Sequence, residues 1–110
     1  MTSRNASPNI IFGRRLRQAR QCRNLAQDEL GVMAGLEESS SSARMSRYEG
    51  GVHEPPFQFV EALAKVLGVS PAYFYCPEDR LADIILIYSR MPETKCQALY
   101  QAAKDLDEPN

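Results

Sequence analysis

The chain has 110 residues, of which 44% are apolar and 25% charged, and its net charge is −1. That length fits one domain with a modest core of its own, and no apolar run approaches a membrane span. Cys22, Cys76 and Cys96 are widely spaced and His53 is the only histidine, so no metal cluster is expected and the thiols read as reduced and partly buried.

The charges are unevenly spread. Residues 1–50 hold eight arginines against five acidic residues, and residues 51–110 hold five basic against nine acidic. Arginine suits phosphate and guanine through its planar donor fork. The basic half is therefore the half that would face a polyanion.

Met1 to Pro8 is polar, lacks the apolar segment of a secretory signal and reads as a short disordered leader. Residues 10–22 predict a helix, with Ile10, Ile11, Phe12, Leu16 and Ala19 on its apolar side. Leu25 to Ala34 predicts a second helix. Asn24 is its candidate cap, Gln27 stands three residues on as in a capping box, and Gly35 ends it. Residues 36–40 read as a polar turn. A third helix runs from Ser40 or Ser41 to Glu49 and is stopped by Gly50-Gly51. A fourth spans Phe57 to Leu67, with Phe59, Val60, Leu63, Ala64 and Leu67 on one face and Gly68 at its end. Ser70-Pro71 opens a short fifth helix through Phe74. After Cys76-Pro77, residues 79–91 and 93–106 predict two more helices separated by Pro92. The fold class is all-α.

The third helix carries the informative pattern. Met45 and Tyr48 should face the core, which leaves Ser40, Ala43, Arg44 and Arg47 as a small, polar, basic stripe on the other side. Such a face fits a DNA major groove, although many charged stripes are simply solvated.

From Gly13 to Phe74 the sequence resembles the helix-turn-helix family of phage repressors and Cro proteins, also called the xenobiotic-response-element family. The residues that carry the resemblance are Gly13-Arg14-Arg15-Leu16-Arg17-Gln18-Ala19-Arg20, Leu25-Ala26-Gln27-Asp28-Glu29-Leu30-Gly31, Met45-Ser46-Arg47-Tyr48-Glu49-Gly50-Gly51 and the run Leu63 to Phe74. The resemblance implies a five-helix, lambda-repressor-like DNA-binding domain over residues 9–76, followed by a two-helix extension over 77–110. It implies double-stranded DNA as partner. It places Gln27 at the DNA backbone or an edge base, in keeping with the free N–H donors of a helix N-terminus. It pairs Arg20 of helix one with Glu49 at the end of helix three, as a structural pair or beside a phosphate; the bland alternative is an exposed ion pair of little worth. It makes Gly31 the small residue where helices two and three cross.

Two features depart from the family pattern. The segment from Gly35 to Met45 is about four residues long in excess; as helix it adds roughly 6 Å, and as coil it is a longer turn. A cap at Ser39 or Ser40 followed by helix is the favoured reading. Ala26 stands where the family has a serine or threonine cap. The resulting DNA-contacting set is Gln27, Ser40, Ser41, Ser42, Ala43, Arg44 and Arg47, with Arg47 foremost on guanine. Glu37 and Glu38 are expected on the outer side of the turn, away from phosphates.

The run Leu81 to Tyr88 surrounds most of a helix with apolar groups, and Leu99, Ala102, Ala103 and Leu106 form one stripe. Together they suggest a homodimerisation hairpin through Leu81, Ile84, Ile85, Tyr88, Leu99 and Ala103, the alternative being extra core within one chain. A dimer would read a palindrome with two recognition helices about 34 Å apart. The expected role is a repressor or other regulator of bacterial or phage type, cytoplasmic and nucleoid-associated. The rival is an antitoxin-like protein that binds a toxin through its last helices. No catalytic constellation or cofactor motif is found, so no enzymatic activity is expected.

Overall fold

The computed structural model describes residues 7–109. Its elements are α1 (Pro8–Cys22), α2 (Gln27–Met33), α3 (Glu38–Glu49), α4 (Phe57–Leu67), α5 (Pro71–Phe74), α6 (Asp79–Arg90) and α7 (Glu93–Asp107), with no strand among the described residues.

Helix α1 starts earlier than its apolar pattern suggests. Ser7 is the N-cap, its Oγ accepting from the Ile10 N–H at 3.3 Å, and Pro8 opens the first turn. A proline there loses nothing, since that N–H has no partner in the helix. The leader expectation is therefore corrected at Ser7 and Pro8, and for residues 1–6 it lies outside the described residues. The exit from α1 also differs. Asn24 has φ +56°, and the Leu25 N–H donates to the Arg20 carbonyl at 3.3 Å. Asn24 thus closes α1 in a left-handed turn and does not cap α2.

Helix α2 begins at Gln27, with Ala26 as N-cap. Alanine offers no side-chain acceptor, but Glu29 Oε1 accepts from the Ala26 N–H at 2.9 Å and supplies half of a capping box. Gly35, at φ +112°, ends the helix as expected, and the Leu36 N–H reaches back to the Gly31 carbonyl at 2.9 Å. Helix α3 then starts at Glu38, with Glu37 as N-cap and no side-chain capping bond. The extra residues are helical, yet neither Ser39 nor Ser40 is the cap. Glu37 and Glu38 form the helix start itself, both exposed. Carboxylates in a first turn interact favourably with the helix dipole, which offsets the missing hydroxyl cap.

Helices α4 and α5 match their sequence signals. Gly68 takes φ 70° and ψ 35° after Leu67, and the Ser70 Oγ accepts from the Ala72 N–H. The core beneath these helices is formed by Phe12, Leu16, Leu30, Met45, Val60, Leu63, Leu67 and Phe74, all essentially inaccessible. Each such side chain contributes about 1.5–3 kcal/mol by leaving water. Phe59 lies at the edge of this core, its ring 5.5 Å from that of Tyr48.

Helix α6 lays Ala82 into the core, with Ile85 and Leu86 half-buried beside it. Helix α7 buries only Cys96, whose thiol faces the Tyr88 and Met91 carbonyls at 3.6 Å. The two helices meet at Pro92 but do not pack side by side as a hairpin. The result is an elongated molecule of 57 × 33 × 23 Å with a radius of gyration of 15.5 Å. A compact chain of this length would have about 13 Å.

Candidate nucleic-acid interface

Small residues let α2 and α3 pack closely. A Cβ at Gly31 would collide with the Ser41 Oγ and come within 2.8 Å of the Met45 Cγ. Ser41 is fully buried and its hydroxyl donates to the Asp28 carbonyl at 2.8 Å. This corrects the assignment of Ser41 to DNA. It lies one turn before Met45, on the same side of α3, and spends its hydroxyl on α2. The packing reason for a small residue at 31 is thereby explicit. A second close approach occurs at Gly13, where a Cβ would strike the Glu49 carbonyl and lie 2.7 Å from the Tyr48 carbonyl oxygen.

Burial of Ser41, Met45, Tyr48 and Glu49 fixes the rotation of α3. Ser42, Ala43, Arg44 and Arg47 are left exposed, and Ser40 is half-buried with its hydroxyl on the Glu37 carbonyl at 3.4 Å. Arg44 reaches the Tyr48 hydroxyl at 3.3 Å. Ser39 and Ser46 share the exposed face and were absent from the sequence-derived set. Steps of about 100° per residue away from Met45 and Tyr48 would have found both.

The far end of α3 is locked by Glu49. Its side chain is wholly buried, yet it carries a carboxylate. Arg20 donates from Nε to Oε2 at 2.5 Å and from Nη2 to Oε1 at 3.0 Å. Gln27 Nε2 donates to Oε1 at 3.0 Å, and the half-exposed Arg17 adds a longer bond at 3.4 Å. Arg20 also holds the Leu25 carbonyl at 2.9 Å. Burial alone would raise the Glu49 pKa, but the hydrogen bonds from Arg20 and Gln27 and the charge of Arg20 outweigh it and lower the value. The same pairing raises the pKa of Arg20. The pair is therefore no weak surface contact. It ties α1, α2 and the end of α3 together, which the sequence could not show, because spacing does not report burial.

This network also bears on Gln27. The residue is half-buried at the start of α2, and Glu49 orients its amide. Gln27 thus stands at the seam of α2 and α3. The proposed dimer residues lie on other helices, α6 and α7. Leu81, Ile84 and Tyr88 are 46–47% exposed, Ala103 is exposed, Leu99 is half-buried, and Ile85 is spent partly on the chain's own core.

Comparison with known proteins agrees with this geometry. Residues 11–73 match the helix-turn-helix domain family. The HTH-type transcriptional regulator y4wC of Sinorhizobium fredii is 33% identical over 80 residues, covering 70% of this chain and 52% of that protein. The chain thus spans about half the length of that curated relative. The crystal structure of the transcriptional regulator BswR is 41% identical with a TM-score of 0.79, over 84% of this chain and 92% of that one. The helix pair α2–α3, closed by Gly31, Ser41 and Glu49, is the helix-turn-helix of a chain that belongs to the helix-turn-helix domain family.

Proposed function

We propose that the protein is a sequence-specific, double-stranded DNA-binding transcriptional regulator that works as a homodimer on a palindromic operator. The observation that carries this reading is the exposed α3 face, Ser39, Ser42, Ala43, Ser46 and Arg47, on a helix whose other side is fixed by buried contacts. A rigid helix with short side chains and one arginine fork suits a major groove. Arg47 pairs with guanine in this reading, Arg44 stands beside it, and Gln27 faces a phosphate at the start of α2. Arg17, half-exposed on Glu49, adds positive charge at the same edge.

Dimerisation is supported by apolar surface that one protomer leaves uncovered. Ile84, Ile87, Tyr88, Tyr100 and Leu106 are 46–88% exposed along α6 and α7. Large apolar side chains left exposed along one segment favour an interaction surface there. Repression follows from occupancy, since a dimer seated on a promoter blocks other proteins there. This reading puts the protein in the cytoplasm, on the nucleoid.

Selection of bound duplexes from a random pool at stated salt tests the proposal, because affinity without a salt concentration means little. The expected result is a palindrome with half-sites about 10–11 base pairs apart, or a multiple. Weak, motif-free binding that vanishes with salt would refute it. Co-purification with a toxin bound to α6–α7, with no motif enriched, would establish the antitoxin alternative.

A further inference from the structure

Arg15 is 3% exposed, whereas Arg17, two residues on along α1, has a 55% exposed side chain. A buried guanidinium is costly unless its donors are satisfied. Here Nε donates to the Cys76 carbonyl at 2.8 Å, and Nη2 donates to the Pro77 carbonyl at 3.2 Å and to Asp79 Oδ1 at 3.0 Å. Nη1 donates to Gln18 Oε1 at 3.0 Å, and the guanidinium lies 5.9 Å from the centre of the Tyr73 ring. Cys76 and Pro77 close the five-helix body and Asp79 opens α6, so three of the four acceptors lie at the junction.

The other end of α6 is held separately. Ser89 Oγ accepts from the Ser70 N–H at 2.9 Å and donates to the Ile85 carbonyl at 2.7 Å. Between these two polar anchors only Ala82, Ile85 and Leu86 pack on the body. An apolar strip that small would let a helix slide, and relative motion is the default for small interfaces between units. A planar fork at one end and a hydroxyl at the other remove both sliding and swing.

We infer that Arg15, with Ser89, sets the angle between the DNA-reading helices and the dimerising helices, and thereby selects the spacing between half-sites. Both are positioning residues that touch neither DNA nor partner. The inference rests on the dimeric reading above and adds a property to it.

Cys22 supplies the test, because it is exposed on α1 while Cys76 and Cys96 are buried. A spin label at Cys22 of the full-length wild type reports the distance between the two reading heads across the dimer. One narrow distance is expected. Arg15→Met and Ser89→Ala should each broaden it measurably, as expected when a small interface loses its anchors. In a selection with variable spacers, both should keep the wild-type half-site and lose the single preferred spacing. A broad wild-type distribution overturns the inference. So do variants with lowered Tm but unchanged width and spacing, since that is a purely structural role. Where Arg15→Met does not fold, Ser89→Ala decides alone, and an unchanged width overturns the inference. Sedimentation that shows only monomer at micromolar concentration removes the dimeric reading as well, whereas a paired motif with tolerant spacing removes only the inference.

Discussion

Gly31→Ala is the sharpest probe of how α3 is seated. The new methyl would meet the Ser41 Oγ, with the Met45 Cγ 2.8 Å away. Overpacking of that kind costs about 1–3 kcal/mol. If the Ser41 hydroxyl turns aside, its bond to the Asp28 carbonyl is lost, at about 1 kcal/mol. Alanine in place of a helical glycine returns about 1 kcal/mol. The net expectation is a loss of about 1–3 kcal/mol, a fall in Tm of roughly 4–12 °C for a domain of this size. Urea unfolding of Gly31→Ala, Ser41→Ala and the double variant measures it. Ser41→Ala removes the colliding oxygen, so the double variant should be less destabilised than the sum by at least about 0.5 kcal/mol. A Gly31→Ala protein as stable as wild type, or strictly additive variants, would refute the account of this crossing.

Other substitutions separate reading from folding. Arg47→Ala should cost about 1–3 kcal/mol of DNA affinity and relax preference at one base pair, measured by binding to single-substituted operators; an equal loss on every sequence would mark a phosphate contact instead. Glu49→Gln should destabilise by about 3–5 kcal/mol in denaturant at neutral pH, because Arg20 then loses its ionic partner. Glu49 has a folded pKa below its ordinary 4.5, so its contribution is present above that value and is lost as pH falls through the lower folded value. The gap between wild type and Glu49→Gln should therefore narrow in acid, and a gap that widens would contradict the network. Leu99→Glu with Leu106→Glu should shift sedimentation towards monomer and lower operator affinity while leaving helix content unchanged. Glu37→Gln with Glu38→Gln should change DNA affinity little, and a large gain would show that these carboxylates face phosphates.

The sequence was most legible where one signal had one meaning. Phe57 to Leu67 carries a clean helical stripe closed by Gly68, and the helix has those bounds. Asn24 was misleading because asparagine serves equally as an N-cap and as a left-handed closing residue, and only the partner of the Leu25 N–H decides between them. Ser41 was misassigned by residue type, although its spacing of four from Met45 put it on the buried side. Arg20 and Glu49 were paired through family likeness, but the burial of the carboxylate depends on three helices arriving together. Pro92 marked the break between α6 and α7 correctly, yet nothing local could tell whether they fold back on each other.

The serine run divides into two kinds of position. Ser41 is committed to the fold, while Ser39, Ser42, Ala43 and Ser46 are exposed and make no side-chain hydrogen bond to another helix. Exchanges at such exposed sites usually change stability by less than about 0.5 kcal/mol. In the proposed DNA-reading role of this face, target preference and foldability are nearly independent traits on this helix. On that proposal, descendants or designed libraries randomised at those four positions alone would explore new operators without first acquiring compensating mutations in the core.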